Sequence, residues 1–230
     1  MADDPELNLV ALVPMRHESE RVPGKNYRLL GGRPLYAHIL DTLRSCPEVD
    51  RVVVDTDSEV IRGGIEADFP EVMLLKRPEE LRGGDIQMNE VLKHDVSQVK
   101  SRFYLQTHST NPLLQPQTIS AAADKFLSAY PEHDSLFAVT RIQARLWDQK
   151  GQPINHDPQV LLNTQDLSPV YLENSCLYLF GREDFLQRAN RIGERPLMFE
   201  IGVEEAIDID DETAFALAER LIAETEGKTL

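Results

Sequence analysis

Wholly apolar runs of strand length alternate along this chain with stretches of helical period, and that alternation admits few architectures. Leu9-Val10-Ala11-Leu12-Val13-Pro14 is apolar at every position. A strand covered on one face alone would alternate with polar residues, so this run predicts a strand buried on both sides. Pro34 to Leu43 then carries apolar residues at helical spacing, with Pro34 in a favoured first-turn position. Arg51 to Asp57 contains a second buried run, Val52-Val53-Val54, that ends in carboxylates. Ser58 is placed to cap a helix through Ile61 and Ile65, and a short strand is expected over Val72 to Leu75. Helix over Ile86–Val99, strand over Phe103–Thr107, helix over Thr118–Tyr130 and strand over Ser135–Thr140 continue the series. The reading is an α/β fold with a mainly parallel sheet and right-handed crossovers. Ligands of such sheets bind beyond the carboxyl ends of the strands, here Pro14, Asp57, Gln106 and Thr140.

From Thr140 to Glu173 the rhythm stops. Gly151, Pro153, Pro158 and Pro169 divide this stretch into short pieces with no long helix. It reads as an inserted arm suited to contacts between copies of the chain. Leu177 to Phe180 resumes the core, and Thr213 to Glu224 forms a closing helix with Phe215, Leu217, Ala218, Leu221 and Ile222 on or near one face. With no repeat or linker, a single domain over 7–230 is expected, 140–173 being its insertion. The apolar runs are far shorter than the roughly 20 residues of a membrane span. The acidic start, Met1 to Glu6, does not resemble a secretory leader, and two cysteines cannot frame a disulfide scaffold. The expectation is a cytoplasmic protein with no membrane partner.

Charge narrows the function. The chain carries 24 Lys and Arg against 39 Asp and Glu, a net −15, which disfavours nucleic acid as a partner. Yet Arg16 to Arg33 holds five basic residues and two acids, whereas Glu200 to Glu212 holds seven acids and no base. A cationic loop and a separate carboxylate cluster suit an anionic small molecule that carries a metal ion. The loop after the first strand, Pro14 to Asn26, has neither a Gly-x-Gly-x-x-Gly nor a Walker motif. It offers Arg16, Arg21 and Lys25 in place of backbone amides, with the Ser19 hydroxyl and the Asn26 amide. Pro23-Gly24 is a turn that would aim Lys25 back at phosphates. Asp208 and Asp210, two apart on an extended segment, present both carboxylates to one face and Ile209 to the other. Their alternative reading is an acidic edge, with Asp210 or Asp211 capping the final helix. Asp55-Thr56-Asp57 looks like the Asp-x-Asp metal motif of glycosyltransferases but sits early, and a structural or capping role is favoured. The six histidines show no close metal-ligand spacing; His108 follows Gln106 and is placed to touch a substrate.

The loop Arg16-His17-Glu18-Ser19-Glu20-Arg21-Val22-Pro23-Gly24-Lys25-Asn26 resembles the Arg-x-x-Ser-x-x-[hydrophobic]-Pro-Gly-Lys-Asn pattern of the acylneuraminate cytidylyltransferase family, which includes CMP-sialic acid synthetase and, more distantly, CMP-Kdo synthetase. Further segments resemble the family in the same order: Gly32-Arg33-Pro34-Leu35, Val52 to Asp57, Arg77-Pro78-Glu79-Glu80-Leu81, Tyr104-Leu105-Gln106 with Asn111-Pro112-Leu113, Asn174 to Phe180, and Ile207-Asp208-Ile209-Asp210. The resemblance implies a Rossmann-like three-layer nucleotidyltransferase fold with a small inserted dimerisation arm, and a homodimer. It implies transfer of the cytidylyl group of CTP to a keto-sugar acid of sialic, nonulosonic type, with pyrophosphate leaving. Arg16, Ser19, Arg21, Lys25 and Asn26 would hold the triphosphate and ribose, Arg77 and Asn89 the base, and Gln106 the ribose or sugar. Tyr171 and Asn174 would face the sugar, with Arg141 or Arg145 as further partners for its carboxylate, and Asp208 and Asp210 would hold Mg²⁺. Arg16, Lys25, Asp208 and Asp210 are thereby the expected catalytic set, across one cleft. Glu20 stands where sialic-type members usually carry Lys, and Gly84 to Asn89 replaces a serine-rich stretch. Rival readings are a nucleotidyltransferase using another nucleotide or sugar, an Asp-x-Asp glycosyltransferase, and a nucleotide-binding protein without activity.

Overall fold

Leu9 and Ala11 point to one face of strand β1 (Leu7–Leu12), Val10 and Leu12 to the other, and all four are fully buried in the computed structural model. That is why the run is apolar at consecutive positions. The structure describes residues 7–227; the acidic stretch 1–6 and the end of the anticipated domain, 228–230, lie outside the described residues. After β1 the chain makes a small hairpin, β2 (Leu29–Leu30) and β3 (Arg33–Pro34), and then helix α1 (Leu35–Arg44). Strand β4 (Arg51–Thr56), α2 (Glu59–Asp68), β5 (Met73–Lys76), α3 (Met88–Gln98), β6 (Ser101–Thr107), α4 (Pro116–Ala129) and β7 (Ser135–Ile142) follow. The chain ends with β8 (Val170–Gly181), α5 (Arg182–Arg188), β9 (Pro196–Glu200) and α6 (Glu212–Gly227). Ser58 caps α2 as its sequence position implies, its Oγ accepting from the Ile61 amide at 3.3 Å.

The strands form one seven-stranded sheet in the order β5-β4-β1-β6-β8-β7-β9. Only β8 runs against its neighbours, so the sheet is mainly parallel. One face is covered by α1, α2 and α4 through Ile39, Leu40, Ile65, Ile119 and Phe126, and the other by α3 and α5 through Leu92, Val96 and Phe185. Each such fully buried aliphatic or aromatic side chain contributes ~2 kcal/mol. This is the three-layer α/β arrangement that the alternation required.

Two departures from regularity shape the functional end. Between β7 and β8 the register passes from Phe137↔Tyr178 to Val139↔Glu173, so residues 174–177 face Ala138 alone. Ser175 takes up the excess with a left-handed backbone, φ 59°. Beyond the bulge the two strands run on as far as Ile142 and Val170, and residues 143–169 form an irregular arm with a Trp147–Pro153 bridge. Trp147, Ile154, Val160, Leu161 and Leu172 are exposed on the arm and its base, Leu161 by 90%. A third, smaller apolar cluster lies outside the sheet and joins Val22, Leu30 and Leu35 to Ile209, Phe215, Ala218 and Ile222. Among the described residues no helix is long and apolar enough to cross a membrane.

Candidate active site

Chain entering the cleft at the carboxyl end of β1 is shaped by short-range bonds. The Asp57 carboxylate, just beyond β4, accepts from the His17 amide at 2.7 Å, a structural role that braces the loop, while Ser58 caps α2. Ser19 Oγ accepts from the Val22 amide at 3.4 Å. Gly24, at φ 66°, opens a 3₁₀ turn over Lys25–Tyr27, so Pro23-Gly24 does turn the loop back. Asn26 is buried and braces the loop: its Nδ2 donates to the Arg16 carbonyl at 2.7 Å, and its Oδ1 accepts from Ser109 Oγ at 2.7 Å.

The apolar cluster of Val22, Leu30 and Ile209 seats this loop against the acidic segment before α6. Lys25, also buried, donates through Nζ to the Ile209 carbonyl at 2.5 Å and lies 3.6 Å from Asp210. Arg21 donates to Asp210 at 2.8 Å. Burial pushes the Lys25 ammonium below its ordinary pKa, against the pull of Asp210 and Asp208. Burial shifts Asp208 upward, against an opposing hydrogen bond from Thr110 and with the Asp210 charge adding to the rise, and its Oδ1 is buried without a hydrogen-bond partner. Asp211 is the capping residue of the alternative reading, its Oδ1 accepting from the Ala214 amide at 2.8 Å, which leaves Asp208 and Asp210 directed to the cleft.

The cleft has a volume of about 570 Å³. Arg16, Ser19, Arg21, Lys25, Asn26, Arg77, Asp208 and Asp210 all line it, so the front loop and the rear carboxylates do share one cavity. Its lining holds five cations (Arg16, Arg21, Lys25, Arg77, Arg191) against four carboxylates (Glu18, Glu20, Asp208, Asp210), a local excess of positive charge in a chain of net −15. Glu20 and Arg16 both lie close to Gly84, where an added Cβ would come within 3.2 and 3.3 Å of them. Arg77 is held in the wall at 2% exposure, its Nε 3.2 Å from Asp55, which constrains how it can turn to a ligand. Asn89, Gln106, Tyr171 and Asn174 do not line the cleft. Asn89 bonds Asn190 and the Arg191 amide, each at 3.3 Å; Asn174 turns to Thr140 Oγ1 at 3.0 Å; Tyr171 is exposed near the arm. The β8 bulge presents Ser175 to the cleft in place of Asn174.

Ser109, Thr110, Ser175 and Arg191 also line the cleft, although none of them was expected there from the sequence. For Ser175 the signal was weak: its positive φ of 59° is a conformation that Gly adopts freely, and a serine there does not announce it. Arg191 follows the unforeseen helix α5. Its Nη1 donates to Gln106 Oε1, so the amide end of Gln106 must donate to the Thr107 carbonyl at 3.1 Å and to His108 Nε2 at 3.0 Å. His108 therefore carries its proton on Nδ1. Burial, then the Arg191 and Lys25 charges, push its imidazole down to about 4, so it is neutral at pH 7. Among the described residues no three His, Cys, Asp or Glu side chains meet as a metal cage.

Comparison with known proteins fits this arrangement. Over 233 residues the chain is 26% identical to the CMP-N,N'-diacetyllegionaminic acid synthase of Legionella pneumophila, covering 94% of this chain and 97% of that protein. It is 24% identical to the N-acylneuraminate cytidylyltransferase of Streptococcus agalactiae serotype V, where the match takes in 90% of this chain but only 51% of the other. The fold is similar to that of a CMP:2-keto-3-deoxy-manno-octonic acid synthetase solved in complex with CTP, with a TM-score of 0.72 at 15% identity over 95% of this chain and 99% of that one. The family model described as cytidylyltransferase matches residues 10–226, a span holding every side chain of the cleft; the chain belongs to the cytidylyltransferase family and is a nucleotidyltransferase.

Proposed function

We propose that this protein couples CTP to a sialic-type keto-sugar acid, giving the CMP-sugar and pyrophosphate. One observation carries the reading: phosphate-loop cations and the Asp208/Asp210 pair line the same cleft, with Lys25 3.6 Å from Asp210. The sugar's anomeric oxygen bonds to the α-phosphorus, the α–β bridging oxygen departs with pyrophosphate, and the hydroxyl proton is released to water. Arg16, Arg21 and Lys25 neutralise the triphosphate, Ser19 and Asn26 shape the loop that receives it, Arg77 stands toward the base, and Asn89, outside the cleft, braces the Arg191 amide. On the sugar side Gln106 acts through Arg191, whereas Tyr171 and Asn174 lie outside the cleft and take no direct part. In-line displacement of this kind is a matter of positioning and charge neutralisation.

The donor set fits Mg²⁺. A hard cation bound through one or two carboxylates and the substrate's phosphates needs no cage of protein ligands, and the unpartnered Oδ1 of Asp208 is a free oxygen donor of that kind. Asp208 and Asp210 would hold the ion, which supplies charge neutralisation and orientation at the transferring phosphate. The names of the first two relatives support a nonulosonic acid as acceptor. Pyrophosphate release from CTP, UTP, GTP and ATP, each with legionaminic, sialic and Kdo acids, tests the assignment. Activity is expected with CTP and a nonulosonic acid; turnover of UTP or GTP alone, or of Kdo alone, would replace the reading.

The protein acts as a homodimer in this proposal, with the arm over 140–173 as the interface, because Trp147, Ile154, Val160 and Leu161 leave an apolar surface uncovered. Leu161→Asp is expected to yield a monomer by light scattering, and an unchanged mass for that variant would place the interface elsewhere.

A further inference from the structure

Arg191 is the one cation of the cleft that comes from neither the front loop nor the Asp55 network. It is half-buried, and burial lowers its pKa against the pull of Tyr178 and the Glu173 carboxylate, yet among the described residues it forms no direct ion pair. Arg77 pairs with Asp55 at 3.2 Å and Arg188 with Asp134 at 3.0 Å, whereas the half-buried Arg182, remote from the cleft, donates to the Val96 carbonyl and the Tyr104 hydroxyl. A guanidinium taken partly out of water without a counter-ion is costly unless something offsets its charge. What it has is orientation. Its Cζ lies 3.6 Å from the centre of the Tyr178 ring, so the guanidinium is held over the aromatic face. Nη1 is fixed by Gln106 Oε1, and the Arg191 amide by Asn89 Oδ1. Tyr178 is itself tied through its hydroxyl to the Glu173 carboxylate and, at 3.2 Å, to Ser175 Oγ. A planar donor fork is thus locked in position beside Ser175, His108 and Thr110, facing the cleft. The neighbouring His108 is neutral and offers it no negative charge.

We propose that Arg191 receives the carboxylate of the acidic sugar, and that through it the enzyme selects acidic over neutral sugars. This rests on the reading of the cleft as a CMP-sugar synthetase site. The direct ion-pair partner is then the substrate: the fixed fork matches a carboxylate bidentately, and Arg supplies that match where Lys does not. Of the other four cations, Arg21 and Lys25 flank Asp210, Arg77 is paired with Asp55, and Arg16 stands in the front loop assigned to the triphosphate. None of Arg141, Arg145 and Asn174 lines the cleft, and Arg145 is occupied by the Leu162 carbonyl. Gln106 and Tyr178 become positioning residues that act through Arg191.

Steady-state pyrophosphate release should be measured for the wild type, Arg191→Gln and Arg191→Lys, with CTP and the accepted sugar acid or its C1 amide. Arg191→Gln is expected to raise the KM for the sugar acid on the order of a hundredfold with the KM for CTP unchanged. Arg191→Lys, which keeps the charge and loses the fork, should fall between. The wild type should prefer acid to amide strongly, and Arg191→Gln should lose that preference. An unchanged sugar KM, a rise confined to CTP, or an acid preference retained in Arg191→Gln would each overturn the assignment. Should Arg191→Gln fail to bind CTP, Arg191→Lys decides by the same sugar-against-CTP split. Failure of the underlying reading has its own appearance: a wild type that releases no pyrophosphate with any sugar acid removes both together.

Discussion

Asp208→Ala is expected to lower pyrophosphate release on the order of a thousandfold while raising thermal stability. The two effects have one cause. A carboxylate with a buried, unpartnered oxygen and a pKa raised by burial costs the unliganded fold free energy, and the same oxygen is the one available to a phosphate-bound cation. Removing it relieves about 1 kcal/mol, or ~3 °C in Tm for a domain of this size. Activity follows pyrophosphate release with saturating CTP, and stability follows a melt without ligands. Activity retained within about tenfold would exclude Asp208 from phosphate or metal binding. A lower Tm would assign the residue to the fold instead. Asp211→Ala is the contrasting case: it removes only the α6 cap and should cost about 1 kcal/mol of stability with little effect on turnover.

The largest stability effect is expected at Arg77. Its side chain is 3% exposed and that of Asp55 fully buried, 3.2 Å apart, so Arg77→Met leaves a carboxylate in the core without its counter-charge. Breaking such a pair costs about 3–5 kcal/mol, roughly 10 °C in Tm. A shift of only a degree or two would show that the Arg77–Asp55 pair contributes little to the fold. Asp95 belongs to the same network: burial, and then the Asp55 charge, push its carboxyl up to about 9. The folded protein therefore binds one more proton than the unfolded chain between the ordinary carboxyl range and that value. The contribution of Asp95 is full below about pH 4 and declines as pH rises toward 9. Asp95→Asn keeps a donor for Asp55 and has no proton to lose, so denaturant melts at pH 6 and pH 8.5 should differ less for it than for the wild type. An equal pH slope in both proteins would remove Asp95 as the cause.

The framework was legible where burial leaves a pattern. β1, β4, β6 and β7 are apolar because both faces of the sheet are covered, and α1, α2, α4 and α6 show one apolar face because only one is covered. β8 was read from Leu177 onward, although it begins at Val170, because the bulge at 174–177 and the exposed arm interrupt any alternation. α5 is seven residues long, too short for a period to register, and β9 is an edge strand with alternate residues exposed. At the site, the front loop and the Asp208/Asp210 pair stood out because charge is concentrated in contiguous sequence. Arg191 did not, since its meaning comes from Tyr178 and Gln106, far away along the chain. Asn174 and Ser175 show the limit of motif reading: the pattern located the bulge, but the left-handed residue within it decides which of the two side chains enters the cleft.

The patch of Val22, Leu30 and Leu35 against Ile209, Phe215 and Ile222 also sets an order of events in the cell. The bond from Lys25 to the Ile209 carbonyl spans 184 positions. A nascent polypeptide that has emerged only as far as β9 holds six parallel strands and one antiparallel strand, but its triphosphate loop has nothing to rest on. Nucleotide affinity is therefore acquired only after the segment from Ile209 to Ile222 has been made and has packed under the loop.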